Sequence, residues 1–315
     1  MKVVLVILAA VRLAAAGDSA LDWFPANTKV VFGVRVPAVT GSALFRDVGP
    51  GAQRLGEEWL KAVAIRGFDP LRDIDEILLA SPADNEKADA LLVLRGRFDL
   101  SGAGAGATHY RGATILFGGA SKSVLALLDA TTALAGDSPV VRAALERTGK
   151  GTAMDAALAA RVQSLRERFD VWGTGERTDG FVAPSGKNEQ LDSMDRFEFG
   201  VRMSKGFEFA AELHGRSPEA ARKLAASLES LKTMANGMGP PGPKIDVQLK
   251  DGTVKISLAI SEDDLKKTIA AQRGVSFGAS PPAGGAPVVV SSEPAAAAPQ
   301  TNIGGTSVFV LPGKK

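Results

Sequence analysis

Few residues in this chain have types and spacings that could do chemistry: two histidines, one acidic cluster, one glycine-rich run and one basic stretch. His109 and His214 would serve a metal or activate a nucleophile. Neither has a second histidine or a carboxylate at the spacing of an H-x-x-x-H pair, so a zinc site is not expected. A triad can gather its members from distant positions, which keeps a dispersed hydrolase site open. No S-x-x-K motif occurs, and no strand–G-x-S-x-G–helix elbow is read. Asp69, Asp73, Asp75 and Glu76 form the densest acidic cluster and could offer oxygen ligands to calcium. They lack the D-x-D-x-D-G pattern, and Asp69 precedes Pro70 as a cap, so a solvated surface is the expectation.

Gly102 to Ala107 fits G-x-G-x-x-A. A dinucleotide loop must pass from a strand straight into a helix, whose N-terminus holds the pyrophosphate. Here the strand-like residues His109 to Phe117 follow, so a plain loop is expected. Arg142, Arg147, Lys150, Arg161, Arg166 and Arg168 form a basic stretch diluted by Glu146, Asp155 and Glu167. With one tyrosine in the chain, aromatics for base stacking are scarce. The stretch reads as a solvated helix face, and nucleic acid is not an expected partner. Trp23, Trp59 and Trp172 read as core or rim residues. There is no cysteine, hence no disulfide, thiolate metal site, thiol nucleophile or lipidation site. Catalytic, cofactor-binding and metal-binding residues are all expected to be none.

The elements that would position any site are clearest from Phe197 to Gln272. Phe197, Phe199, Val201 and Met203 alternate along one strand, and Phe207, Phe209, Ala211 and Leu213 along the next. Period two puts them on one face of a hairpin, with Glu198, Arg202, Glu208 and Glu212 on the wetter face. Ser204-Lys205-Gly206 is the turn. Ser217 as cap, Pro218 at the first helical position and Glu219 in the first turn start a helix. Its stripe is Ala221, Leu224, Ala225, Leu228, Leu231 and Ala235. Ile245, Val247 and Leu249 turn at Asp251-Gly252 into Val254, Ile256, Leu258 and Ile260. Ser261 caps a last short helix carrying Leu265 and Ile269. Four half-apolar strands and these helices predict an antiparallel sheet with helices on one face.

Upstream, Lys29 to Val36, Ile74 to Leu79, Ala90 to Phe98 and Tyr110 to Phe117 read as strands. Thr40 reads as the cap of a turn. Leu55, Trp59 and Val63 mark a helix. Ser123 to Ala135 reads as strand, with Leu125 to Asp129 open to a helical reading. Met154, Leu158, Val162 and Leu165 mark a helix before a strand at Phe169 to Trp172. Thr178 to Met194 reads as a surface loop. Gly-x-Ser-Pro recurs at Gly136 and Gly215, 79 residues apart (215 − 136), each time between a strand and a helix. This predicts two related α+β units, although Ser-Pro is also a common start to a helix.

Residues 1–16 have a basic start at Lys2, an apolar run and Ala14-Ala15-Ala16 before Gly17, the pattern of an export signal. The run is too short to span a bilayer, which needs about 20 apolar residues. Lys2 and Arg12 account for the formal charge of +2, so residues 17–315 carry none (2 − 2 = 0) and no global bias toward nucleic acid or anionic lipid. Beyond Gly274 the chain turns to Ala, Pro, Gly and Ser, which cannot bury enough apolar surface to order itself. The expected organisation is signal peptide 1–16, a first α+β unit 17–150, a second 151–273 and a disordered tail 274–315.

Phe24-Pro25-Ala26-Asn27-Thr28, Phe68-Asp69-Pro70, Asp73-Ile74-Asp75, Leu94-Arg95-Gly96-Arg97-Phe98 and Ala135-Gly136-Asp137 follow the export signal. On these motifs, residues 23–272 resemble a family of uncharacterised exported bacterial proteins. The motifs are fold signatures, so the resemblance implies periplasmic or extracellular location and no site residues. The expected function is non-enzymatic: an envelope-associated protein binding a peptide, polymer or partner protein on a sheet face or between two units. The alternatives are an extracytoplasmic hydrolase with a dispersed site, and an assembly or inhibitor subunit.

Overall fold

Alternating apolar residues dominate the strands, and in the computed structural model those strands join one sheet. The structure describes residues 19–47, 70–82, 90–98, 107–117, 122–176, 193–204, 206–237 and 244–267. The expected export signal, the Leu55–Trp59–Val63 helix, Asp69, the 178–192 loop and the tail lie outside these residues.

Twelve antiparallel strands are described: β1 (Val30–Arg35), β2 (Ile74–Ser81), β3 (Leu91–Gly96), β4 (Thr108–Tyr110), β5 (Ala113–Phe117), β6 (Ser123–Leu127), β7 (Thr132–Asp137), β8 (Val171–Glu176), β9 (Met194–Arg202), β10 (Phe207–Gly215), β11 (Lys244–Lys250) and β12 (Thr253–Ile260). Their order across the sheet is β11-β12-β10-β9-β8-β1-β2-β3-β7-β6-β5-β4. The helices are α1 (Val36–Thr40), α2 (Ala43–Asp47), α3 (Pro70–Asp73), α4 (Ser138–Arg147), α5 (Ala156–Arg168) and α6 (Pro218–Gly237), with a 3-10 turn at Ser19–Trp23 and helical residues at 262–267. The fold class is α+β, as the sequence predicts.

The register assigns every strand residue to one of two faces. Trp172 pairs with Gly200 and Gly33, and Val31, Leu78, Val93, Leu134 and Ala126 share its face. On this Trp172 face, α4 and α5 bury Val141, Leu145, Leu158, Val162 and Leu165 against the strands, together with Leu21 and Phe24. Side chains of this size contribute about 1.5–3 kcal/mol each when fully buried. The opposite Phe199 face carries Phe197, Leu213 and Val254 in register. There α6 buries Ala221 and Leu224 against Val254, with Val247 and Ile256 beside them. At the other end of the same face, Val36 and Phe98 pack with Ile77, Leu94, Leu125 and Leu127. α4 and α5 therefore lie on one face of one continuous sheet, and α6 on the other.

Local chemistry explains the boundaries. Ser217 Oγ accepts from the Ala220 backbone N–H at 3.1 Å, and Pro218 opens α6, as the sequence predicts. Asp155 caps α5 in the same way, through the Leu158 N–H. Asp251 and Gly252 both take positive φ (49° and 74°), the backbone that a two-residue hairpin matching strand twist requires. Arg111-Gly112 makes an equivalent turn, so the segment expected as one strand from His109 to Phe117 is the β4–β5 hairpin.

Two expectations are corrected. Thr40 is not a cap: its hydroxyl donates back to the Val36 carbonyl, and Ser42 caps α2 by accepting from the Phe45 N–H. Leu125 to Asp129 is not helical, because β6 is held by ladders to β5 and β7. The two Gly-x-Ser-Pro segments do join strand to helix, but at inequivalent places. β7 is fourth from the β1–β8 junction, β10 is third, and the following helices take opposite faces.

Candidate binding surface

The uncharged strip of the Phe199 face begins with two glycines. Gly173 and Gly175 of β8 have no Cβ, and rings from both neighbouring strands lean over them. A Cβ at Gly173 would lie 2.4 Å from Phe32 and 2.6 Å from Phe199, and one at Gly175 would lie 2.9 Å from Phe197. The three rings sit side by side, with centroids 6.2, 6.1 and 6.5 Å apart. All three are half-buried. Along β1, β8 and Phe197 to Val201 of β9, the same face adds Val30, Val34, Val171 and Val201 and no charged side chain, while a register shift at the end of β9 brings Met194 under α6 and leaves Asp195 exposed. Among the described residues α5 packs on β8 and β9 from the other face, and α6 packs on β10, β11 and β12. The strip is about 14 Å wide at normal strand spacing, comparable to one helix diameter.

The other face of the same strands is its electrostatic opposite. Glu176, Arg196 and His214 lie in one row, with Glu198, Glu212 and Lys255 in the next. Arg161 of α5 donates to Glu176 at 3.1 Å, Lys255 pairs with Glu212 at 2.8 Å, and Arg202 pairs with Glu208 at 2.7 Å. Alternating signs satisfy one another here, and exposed pairs of this kind are worth little individually.

His214 stands in that charged lattice. Arg196 Nη2 lies 2.8 Å from Nε2 and 3.1 Å from Nδ1, and Thr253 Oγ1 lies 2.9 Å from Nδ1. Burial and the Arg196 charge hold the imidazole below its usual pKa, against the pull of Asp195 and Glu212. His214 is therefore neutral at pH 7, with a proton on one ring nitrogen, and Arg196, which can only donate, engages the other. His109 lies on the exposed edge strand β4, 3.4 Å from Thr114 Oγ1. The structure does not bring the two histidines together.

The acidic cluster is not a solvated surface, because strand alternation sends its members to different places. Asp75 is exposed, and Asp73 accepts from Arg72 at 2.8 Å. Glu76 turns to the Trp172 face and takes a bidentate contact from Arg166, at 2.6 and 2.5 Å. Burial pushes the Glu76 carboxyl up to about 7, while Arg95 and Arg35 pull it down. Among the described residues no group of three His, Asp or Glu side chains could hold a metal ion. The basic stretch is likewise more than a solvated face. Arg147 donates to the Trp23 carbonyl, Arg142 lies over the Tyr110 ring at 4.8 Å, and Arg166 grips Glu76. Trp23 and Trp172 are core residues as expected, while Trp59 lies outside the described residues.

The sequence places Phe197 and Phe199 on one strand face but does not bring Phe32 beside them. Gly173 and Gly175, two apart in a strand flanked by phenylalanine-rich strands, were the available signal. Sequence reading also missed that Gly274-Val275-Ser276-Phe277-Gly278 spells G-x-S-x-G. That segment lies outside the described residues, in the stretch where the composition turns to Ala, Pro and Gly.

No family model matches the chain, and no curated protein matches it in sequence. Two solved structures are similar in chain course: crystal forms III and IV of TP0453, each 9% identical, with TM-scores of 0.49 and 0.47. Each alignment covers 80% of this chain, and 97% and 95% of the respective TP0453 chains. A likeness at that level transfers no residue and no role.

Proposed function

We propose that this chain is an exported, non-enzymatic binding protein of the bacterial envelope that holds an uncharged apolar segment of a partner protein on its Phe199 face. The supporting observation is the strip over β1, β8 and β9. Three half-exposed phenylalanine rings lie on a glycine bed, with Arg35, Glu176, Arg196, Glu198 and Arg202 of these strands turned to the other face. Surface of this kind is costly to leave wet, and apolar patches rimmed by polar residues mark interaction sites. A glycan would need hydrogen-bonding groups beside the rings, and the strip has none. Export and membership of the exported family rest on residues 1–16 and the fold-signature motifs. The two-unit division at residue 150 remains part of this proposal. No described helix is long and apolar enough to cross a membrane.

The test is affinity for a panel of fluorescent apolar peptides. Phe199→Lys should weaken binding by at least about tenfold, since a buried charge without a partner is strongly disfavoured. Glu212→Gln on the opposite face should leave binding unchanged. Equal affinities for the parent and Phe199→Lys would refute the reading.

The hydrolase reading draws on one observation, the Thr253 hydroxyl beside a neutral His214. Arg196 competes for the one ring nitrogen that could take a substrate proton, so this pair is the weaker candidate. Turnover of an ester, glycoside or peptide substrate that is abolished by His214→Ala would reverse the order of the two readings.

A further inference from the structure

The two edges of the sheet are managed differently. Edge strands offer unpaired backbone groups to other chains, and proteins blunt them with short strands, bulges or cover. β4 is three residues long, and α4 holds it through Tyr110 Oη to Glu146 at 2.7 Å, with Arg142 over the ring. β11 is seven residues long, pairs without a bulge from Lys244↔Ala259 to Lys250↔Thr253, and contains no proline. Among the described residues nothing pairs with its outer side. It also carries Leu249, the one large apolar side chain counted as exposed among them, at 43%.

The sequence of β11 has the same pattern of side-chain types in both directions. Lys244-Ile245-Asp246-Val247-Gln248-Leu249-Lys250 runs cation, apolar, polar, apolar, polar, apolar, cation. We propose that β11 is a self-pairing edge, through which two copies of this chain associate antiparallel about a two-fold axis at Val247. In that register Ile245 faces the partner subunit's Leu249, and Val247 faces its own counterpart. Asp246 can accept from the amide of the partner subunit's Gln248. The apolar row extends the face on which α6 rests, so Leu249 gains the cover it lacks. A slip by one residue would put the partner subunit's apolar side chains on the charged face, and a slip by two would leave a strand end unpaired. Such a contact is isologous and closes at two copies. Lysine meets lysine at both ends, and like charges directly opposite are unfavourable. The association is therefore weak and reversible. This inference concerns the edge and does not depend on the apolar strip.

Sedimentation of the full chain over a wide concentration range should show a monomer–dimer equilibrium. Lys244→Glu sets carboxylate against lysine at both ends and should tighten it about tenfold, while Gln248→Asp sets Asp against Asp twice and should weaken it by a similar factor. The chain has no cysteine of its own, so a single introduced one reports cleanly. Under mild oxidation Val247→Cys should crosslink to itself, and Asp246→Cys should crosslink far less. A monomer at every concentration, in both the parent and Lys244→Glu, would overturn the proposal. So would a dimer indifferent to both charge changes, or equal crosslinking at 246 and 247.

Discussion

The two halves of this sheet follow the same strand rules and reach different degrees of closure. From β1 to β6 the Trp172 face lies under α4 and the 3-10 turn, with α5 over the adjoining β8 and β9, and Leu78, Leu91, Val93, Ala126 and Leu134 are fully buried. From β9 to β11 the Phe199 face has one long helix, and most of its apolar side chains stay half-exposed. Composition does not explain the contrast, since both halves have alternating apolar strands. The position of the helices does. α6 follows β10 and covers only β10, β12 and β11, which leaves β1, β8 and β9 open beside it. The first half holds more fully buried apolar side chains, and the second leaves more of them half-exposed.

The largest test of that contrast is truncation in each half. Leu134→Ala, under α4, should cost about 2–5 kcal/mol, the usual range for a fully buried leucine. Leu258→Ala, half-exposed beside α6, should cost less than half as much. Urea unfolding of the two variants decides this, and equal losses would erase the distinction.

Glycines sharpen it next. A Cβ at Gly33 would lie 2.2 Å from the Trp172 ring, which is locked in the core. Gly33→Ala should therefore cost about 1–3 kcal/mol, as overpacking usually does. Gly173→Ala meets Phe32 and Phe199, which are half-exposed and can swing outward, so its loss should be smaller. Thermal melts that reverse this order would show the strip to be the more rigid region.

Buried charge gives a pH signature belonging to the closed half. Glu76 is raised from 4.5 to about 7 by burial, against Arg95 and Arg35. Between those values the folded chain binds more protons at Glu76 than the unfolded chain does. This contribution is fully present below pH 4.5 and is lost as pH rises through about 7. Unfolding free energies across that window should fall for the parent and be flatter for Glu76→Gln. Identical slopes would mean that Glu76 titrates normally.

The smallest effect compares two helix starts. Ser217→Ala removes a hydroxyl that caps α6 and should cost about 1 kcal/mol. Asp137, the residue before α4, makes no side-chain cap bond, so Asp137→Ala should cost less.

Much of the fold was legible because it is written in local chemistry. The alternation from Phe197 to Leu213, the Asp251-Gly252 turn and the Ser217-Pro218 helix start each need only neighbours in sequence, and each is observed. Errors fell where a distant partner decides. Thr40 and Ser42 are both adequate caps, and the path into α2 selects Ser42. Glu76 reads as one of four surface acids until Arg166, 90 residues away, is set against it. The candidate surface was illegible for the same reason. Phe32 and Phe199 become a platform only when β1 and β9 flank β8.

The sequence by itself determined the α+β class, the strand faces, the turn types and the lack of cysteine chemistry, because spacing and side-chain type act over a few residues. Only the tertiary structure decided that one sheet runs through both halves, that α4 and α5 take one face and α6 the other, and that β11 is left at an edge. Those outcomes depend on which strands pair across the chain, and strand pairing is settled by the burial available to the whole assembly.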